Sequence, residues 1–307
     1  MRDMVGGVAK RALFSAGHYA RALTTRRFPG IAVLGYHAVL ADHTPRARLP
    51  FAPLHVDAAT LDAHLKLIAG HCDPLSLDDA RAIWAGRTPM PARAVLVTFD
   101  DGHRGVLRLA LPLLERHRVP AAVFVCTEPV ATGTSFWFDT LARSESEAAV
   151  EAAKRQPYIA WRARTERVVS RAAETDPLAP CTVEEVRELA AHPLITIGAH
   201  TATHPVLAQA ALTDQRDEIV RSLDALAAWT GVRPDTLAYP NGRPGIDFSV
   251  DTERVAARTG VAVAFSTQPA FATLAGRALA RPRFVMLQSV DAAELAHRLA
   301  YSWSAVA

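Results

Sequence analysis

A repeated order narrows the fold of this chain more than any other feature: a short apolar run, a polar turn, a helical stretch, then another apolar run. Residues 94–99 are apolar and β-branched and end in Asp100-Asp101-Gly102; residues 106–117 have helical spacing, and 119–126 are apolar again. Strands joined through helices run parallel, because the helix carries the chain back to the edge where the first strand began. Short apolar runs at 31–36, 194–197, 237–238, 261–266 and 284–287 continue the order, with helical stretches at 57–69, from 76, at 214–229, at 251–259 and from 291. A parallel sheet or barrel with covering helices is the expected class. From 128 to 192 the pattern turns polar and helix-favouring, clearest at 145–154 and 162–173, and reads as a helical insertion.

The chain has 307 residues, half of them hydrophobic and 21% charged, enough for one large domain or two small ones. A net charge of +3, without a basic run interleaved with aromatics, gives no case for a nucleic-acid partner. Cys72, Cys126 and Cys181 are widely spaced and read as buried thiols in a reducing compartment, not as a disulfide framework or a thiolate zinc site. Residues 1–28 are basic, with Arg2, Lys10, Arg11, Arg21, Arg26 and Arg27 against Asp3. Lys10 and Arg11 interrupt the apolar stretch that a signal peptide requires. Residues 1–30 therefore read as an N-terminal helical segment packed on a domain spanning 31–307. Peripheral contact of residues 1–28 with an anionic membrane is the alternative. A cytoplasmic location is expected, with or without membrane association.

Two segments carry chemistry. Neighbouring side chains on a strand point to opposite faces, so Asp100 and Asp101 reach one cleft only if the chain turns sharply, which Gly102 permits. Strand carboxyl ends are where α/β barrels place their chemistry, although an aspartate pair also suits a helix N-cap. His200 and His204 are four positions apart, a spacing that lets both imidazoles reach one ion from a single helical turn. Pro205 argues against a long helix there and for a loop after a strand. One aspartate and two histidines make the three-ligand set of a catalytic zinc with an open position, and nickel, cobalt or manganese suit the same donors.

These segments resemble the first two motifs of the polysaccharide deacetylases, the NodB-homology domain of carbohydrate esterase family 4. The resemblance extends over about residues 31–290. It implies a distorted (β/α)-barrel with Asp100 as base and Asp101, His200 and His204 as ligands of a divalent metal, zinc foremost. Tyr239-Pro240-Asn241 resembles the family loop that lines the groove and offers a backbone N–H to the oxyanion, with Asn241 where members often carry Tyr. His37, ending the run 31–36, resembles the general acid of the circularly permuted poly-N-acetylglucosamine deacetylase branch. His297 reads instead as a surface helix residue. Arg283, rather than Arg281, is expected to orient Asp100 and keep it ionised. The remaining histidines, among them His55 and His103, read as structural or solvated.

The implied activity is removal of N-acetyl groups from the amino sugars of a poly- or oligosaccharide, releasing acetate. Two alternatives stand beside it: a deformylase or amidase acting on a lipid-linked sugar or small amide, and a catalytically silent carbohydrate-binding protein.

Overall fold

The computed structural model describes residues 6–302, so Arg2 and Asp3 of the basic segment lie outside the described residues. Ten strands run in the order β1 Ala32–Tyr36, β2 Val39–Leu40, β3 Val56–Asp57, β4 Asp73–Leu75, β5 Ala94–Phe99, β6 Ala121–Val125, β7 Ile195–Ala199, β8 Thr236–Ala238, β9 Val263–Phe265 and β10 Phe284–Val285. Eight form one sheet in the order β10-β1-β5-β6-β7-β8-β9, with β4 pairing the start of β5; β2 and β3 form a separate pair. Every pairing between these strands is parallel.

The two edges of the sheet meet through one segment. Arg281 bridges Phe265 at the end of β9, and three residues later Phe284 pairs with Leu34 of β1. Curling of the sheet divides its side chains into two layers, as strand alternation requires. Val33, Leu96, Ala122, Phe124, Ala238 and Phe265 fill the inside. Leu34, Val95, Val97, Val123 and Leu237 face outward against the helices. Gly198 is required by this packing, since a Cβ there would lie 2.4 Å from the Phe124 ring.

The covering helices include Ala58–His71, Leu77–Trp84, Leu111–His117, Val183–Ala191, Leu212–Thr230 and Val250–Arg258. Their starts follow local chemistry: Ser76, Thr182 and Ser249 each close a capping box with the residue three positions on. Within the expected insertion, helices Trp137–Ser144, Glu147–Ala153 and Tyr158–Val168 surround a small core of Trp137, Leu141, Val150, Ala153 and Trp161. The helix expected at 162–173 starts and ends earlier. Ser135 N–H donates to Ser170 O and Ala172 N–H to Gly133 O, which draws 169–172 out of the helix.

Two helices, Gly7–Ser15 and His18–Thr25, replace the expected single N-terminal helix; Gly17, with φ of 70°, breaks them. They pack on the domain. Lys10 and Arg11 pair with Glu294 and Asp291, each at 2.7 Å, and Tyr19 and Leu23 are buried. His297 is consequently not a surface residue: it is 3% exposed, with Nδ1 3.1 Å from the Tyr19 hydroxyl. The three cysteines are free and buried. Among the described residues, no helix is long and apolar enough to cross a membrane.

Candidate metal and catalytic centre

The carboxyl ends of β1, β5, β7 and β8 converge on a cavity of about 260 Å³ lined by His37, Asp100, Asp101, His200, His204 and Asn241. Asp100 continues β5, its N–H bonded to Tyr36 O, and the chain then turns at Asp101 and Gly102, with φ of 71° and 86°. A left-handed aspartate is sterically disfavoured. Here it is held by Cys126 N–H donating to Asp101 O and by Gly102 N–H donating to Asp100 O. The turn therefore involves Asp101 itself, and it aims both carboxylates into one cleft.

His200 and His204 do not share a helical turn. They lie on an irregular loop in which Thr201 and His204 have φ of 64° and 61°. Glu218 organises that loop: its carboxylate accepts from Ala202 N–H, Thr203 N–H and the Thr203 hydroxyl at 2.7–3.1 Å. Thr201 Oγ1 accepts from His204 N–H, and Trp137 Nε1 donates to His204 O. The four-residue spacing thus works through a cradled loop rather than helical periodicity.

Asp101, His200 and His204 each present a ligand atom, and these atoms all lie within 4.8 Å of one another. The Nε2 atoms of His200 and His204 are 3.3 and 3.5 Å from Asp101 Oδ1, an oxygen that has no hydrogen-bond partner despite complete burial. His200 Nδ1 faces Ala238 O at 2.7 Å, which fixes the proton on Nδ1 and turns a bare Nε2 toward Asp101. Burial pushes His204 down to about 3 and keeps that imidazole unprotonated, as a ligand must be. Donor type, spacing and the orphaned oxygen fit a divalent cation.

Asp100 stands apart from this cluster. Arg283 forks onto it, Nη1 and Nη2 each 2.7 Å from separate carboxylate oxygens, with both side chains buried. Thr98 Oγ1 and Ser266 O take further Arg283 N–H groups, so the guanidinium is held from the ends of two strands, β5 and β9. Burial alone would raise the Asp100 pKa, but the charge of Arg283 outweighs it and holds the carboxyl below its ordinary value. Arg281 points elsewhere, its guanidinium 4.6 Å from the Trp84 ring.

His37 faces the same cavity with its Nδ1 buried and unpartnered. Burial lowers its pKa, opposed by Asp101 and Asp100, so its resting state is neutral. Pro240-Asn241-Gly242 makes a tight turn, Gly242 N–H donating to Pro240 O, and Asn241 has φ of 59°. Tyr239 borders the cavity, but its ring is stacked on Phe248 at 3.9 Å, so this loop meets the cleft chiefly through Asn241.

Two histidines read as structural or solvated belong here instead. His103 is wholly buried with Nε2 3.3 Å from Asp101 Oδ2, and its Nδ1 faces Leu178 O at 3.1 Å. Its position one residue beyond Gly102 was the available signal. His55, brought in by the loop before β3, also lines the cavity.

Fold and site together define a distorted NodB-type (β/α)-barrel with a carboxylate–histidine centre at the carboxyl ends of its strands. A family model described as polysaccharide deacetylase matches residues 87–264, and the chain belongs to that family of hydrolytic enzymes. The poly-β-1,6-N-acetyl-D-glucosamine N-deacetylase of Escherichia coli (strain K12) is 30% identical over 128 residues, 42% of this chain. The matched region spans 15% of that relative's length. The fold is also that of IcaB from Ammonifex degensii, with a TM-score of 0.64 at 21% identity, covering 89% of this chain and 98% of that one. The Streptococcus pyogenes deacetylase PplD, solved in complex with acetate, gives 0.62 at 22% identity, covering 87% and 96%.

Proposed function

We propose that this chain removes N-acetyl groups from amino-sugar residues of a poly- or oligosaccharide, using a divalent metal, zinc foremost, held by Asp101, His200 and His204. The observation that carries this reading is the separation of two aspartates, neighbours in sequence, into different environments. Asp101 joins two histidines around an orphaned oxygen, while Asp100 is clamped as an anion by Arg283. Two carboxylates in distinct surroundings divide ligation from proton transfer.

A divalent cation bound there supplies Lewis acidity toward the acyl oxygen and lowers the pKa of water in the cleft. Asp100, kept ionised, takes a proton from the attacking water. The Asn241 backbone N–H, which makes no hydrogen bond among the described residues, is the donor for the developing oxyanion. The departing amine needs one proton. His37, neutral at rest, serves as the relay that returns to it the proton Asp100 removed. The products are acetate and a free amino sugar.

Elemental analysis paired with acetate release from N-acetylglucosamine oligomers tests the assignment. Asp101→Asn and His204→Ala lose both metal and turnover, whereas Asp100→Asn keeps metal and loses turnover by at least about a hundredfold. An Asp100→Asn protein as fast as wild type removes the base, and hydrolysis of N-formyl but not N-acetyl sugars favours the deformylase alternative.

A further inference from the structure

Apart from the metal cluster and its base, the cleft contains a second group of buried polar atoms that the protein leaves without partners. Asp139, on the helix Trp137–Ser144, is 1% exposed, and neither carboxylate oxygen accepts a hydrogen bond. Arg143, one turn along the same helix, does not relieve it, because its guanidinium forks onto Asp176 at 2.5 and 2.9 Å. His55 is 3% exposed with Nε2 3.1 Å from Pro50 O. A carbonyl only accepts, so the ring proton sits on Nε2, and Nδ1 is a bare lone pair, also buried without a partner. Both residues line the same 260 Å³ cavity as the metal cluster.

Buried polar atoms are almost always hydrogen-bonded, so a cluster of exceptions in one cavity calls for a ligand that completes them. Burial pushes Asp139 up to about 7, opposed only in part by His103 and Arg143, neither of which hydrogen-bonds it. The unmatched atoms of these two residues are acceptors when Asp139 is ionised. An anionic ligand group would be repelled and would bring no hydrogens. A ring bearing several hydroxyls brings a donor for each. Phe138 and Phe51, with ring centroids 6.4 Å apart, give the same cavity apolar faces suited to the C–H side of such a ring.

We propose that Asp139 and His55 form a hydroxyl-binding subsite that grips the sugar ring carrying the N-acyl group. The inference rests on the deacetylase reading of the cleft for the identity of that sugar. It gives the expected insertion a role, since its helix brings Asp139 against the barrel.

Binding tests it directly. Zinc-loaded wild type, Asp139→Leu and Asp139→Asn are titrated with an N-acetylglucosamine tetramer and, separately, with N-cyclohexylacetamide, which has a six-membered ring and the acetamide but no hydroxyls. With the titrations run alkaline of the raised Asp139 value, so that the carboxyl is ionised, Asp139→Leu should weaken tetramer binding by about tenfold or more, the effect of losing hydrogen bonds to a charged acceptor, and leave N-cyclohexylacetamide unchanged. Asp139→Asn, which keeps one acceptor, should fall between. The Leu variant should also melt higher than wild type, because an uncompensated buried carboxyl is gone, whereas a structural role predicts a lower melting temperature. Equal losses on both ligands, tetramer binding unchanged in both variants, or a wild type that does not bind the tetramer each overturn the subsite. Acetate release by wild type is read in parallel: binding without release sinks the deacetylase reading and leaves the subsite standing.

Discussion

Arg283→Met keeps a side chain of similar length and deletes the fork on Asp100. In the wild type each Nη atom lies 2.7 Å from its own carboxylate oxygen, and the two side chains are 1% and 4% exposed. Burial already pushes the Asp100 pKa upward, and the variant removes its largest opponent. Breaking a buried ion pair by deleting one partner costs about 3–5 kcal/mol, because the remaining charge is left uncompensated. For a chain of this length that is a fall of roughly 5–10 °C in melting temperature. The pH dependence has a definite sign. In the wild type the folded pKa is depressed, so its contribution to stability is complete above the unfolded value near ~3.9 and is lost as pH falls through the lower folded value. In the variant the folded pKa is raised, so the penalty is small near about pH 4, grows as pH rises and levels off above the raised value. The melting difference between the two proteins should therefore be wider at about pH 8 than near about pH 4, where the wild-type contribution persists but the variant's penalty is small, and the acid limb of kcat/KM should move alkaline by at least about one unit. Thermal melts at the two pH values and a pH–rate profile check this. Equal melting differences together with an unmoved acid limb would refute the claim that the fork sets the charge state of Asp100.

Three further outcomes follow from named contacts. His103→Leu should weaken metal binding by about tenfold to a hundredfold, read by competition with a chelator, because Asp101 Oδ2 loses the imidazole beside it; unchanged affinity would return His103 to a packing role. Glu218→Ala strips the hydrogen bonds that shape the loop carrying both histidines, and should cost about 3 kcal/mol or more and weaken metal retention as well. A variant that is less stable but holds metal as tightly as wild type would show that the loop keeps its shape without Glu218. Gly198→Ala forces a methyl to within 2.4 Å of the Phe124 ring and should cost about 1–3 kcal/mol in a denaturant titration, while a neutral result would mean that the barrel interior yields.

Much of the architecture was legible because it is written in local patterns. The runs at 31–36 and 94–99 became β1 and β5 within a residue, since a strand buried on both faces reads as continuous apolar sequence. Less was visible where tertiary contacts override local preference. The two-residue strands β2 and β3 carry too little pattern to detect. His55 and His103 lacked a motif because their place in the cleft depends on long-range contacts, including those with Pro50 O and Leu178 O.

The amino-acid sequence alone determined the parallel strand–helix order, the pairing of Asp100 with Asp101, the spacing of His200 and His204, and the resemblance these carry. Each of these is a short-range arrangement of residue types. Tertiary structure decided what those residues can do to one another. It made the turn at Asp101 left-handed, laid the histidines on a loop held by Glu218, and brought Arg283 onto Asp100 from 183 positions away. It also left Asp139 buried without a partner. Charge state and ligand geometry depend on burial and on distances between strand ends, and only the curled sheet sets those.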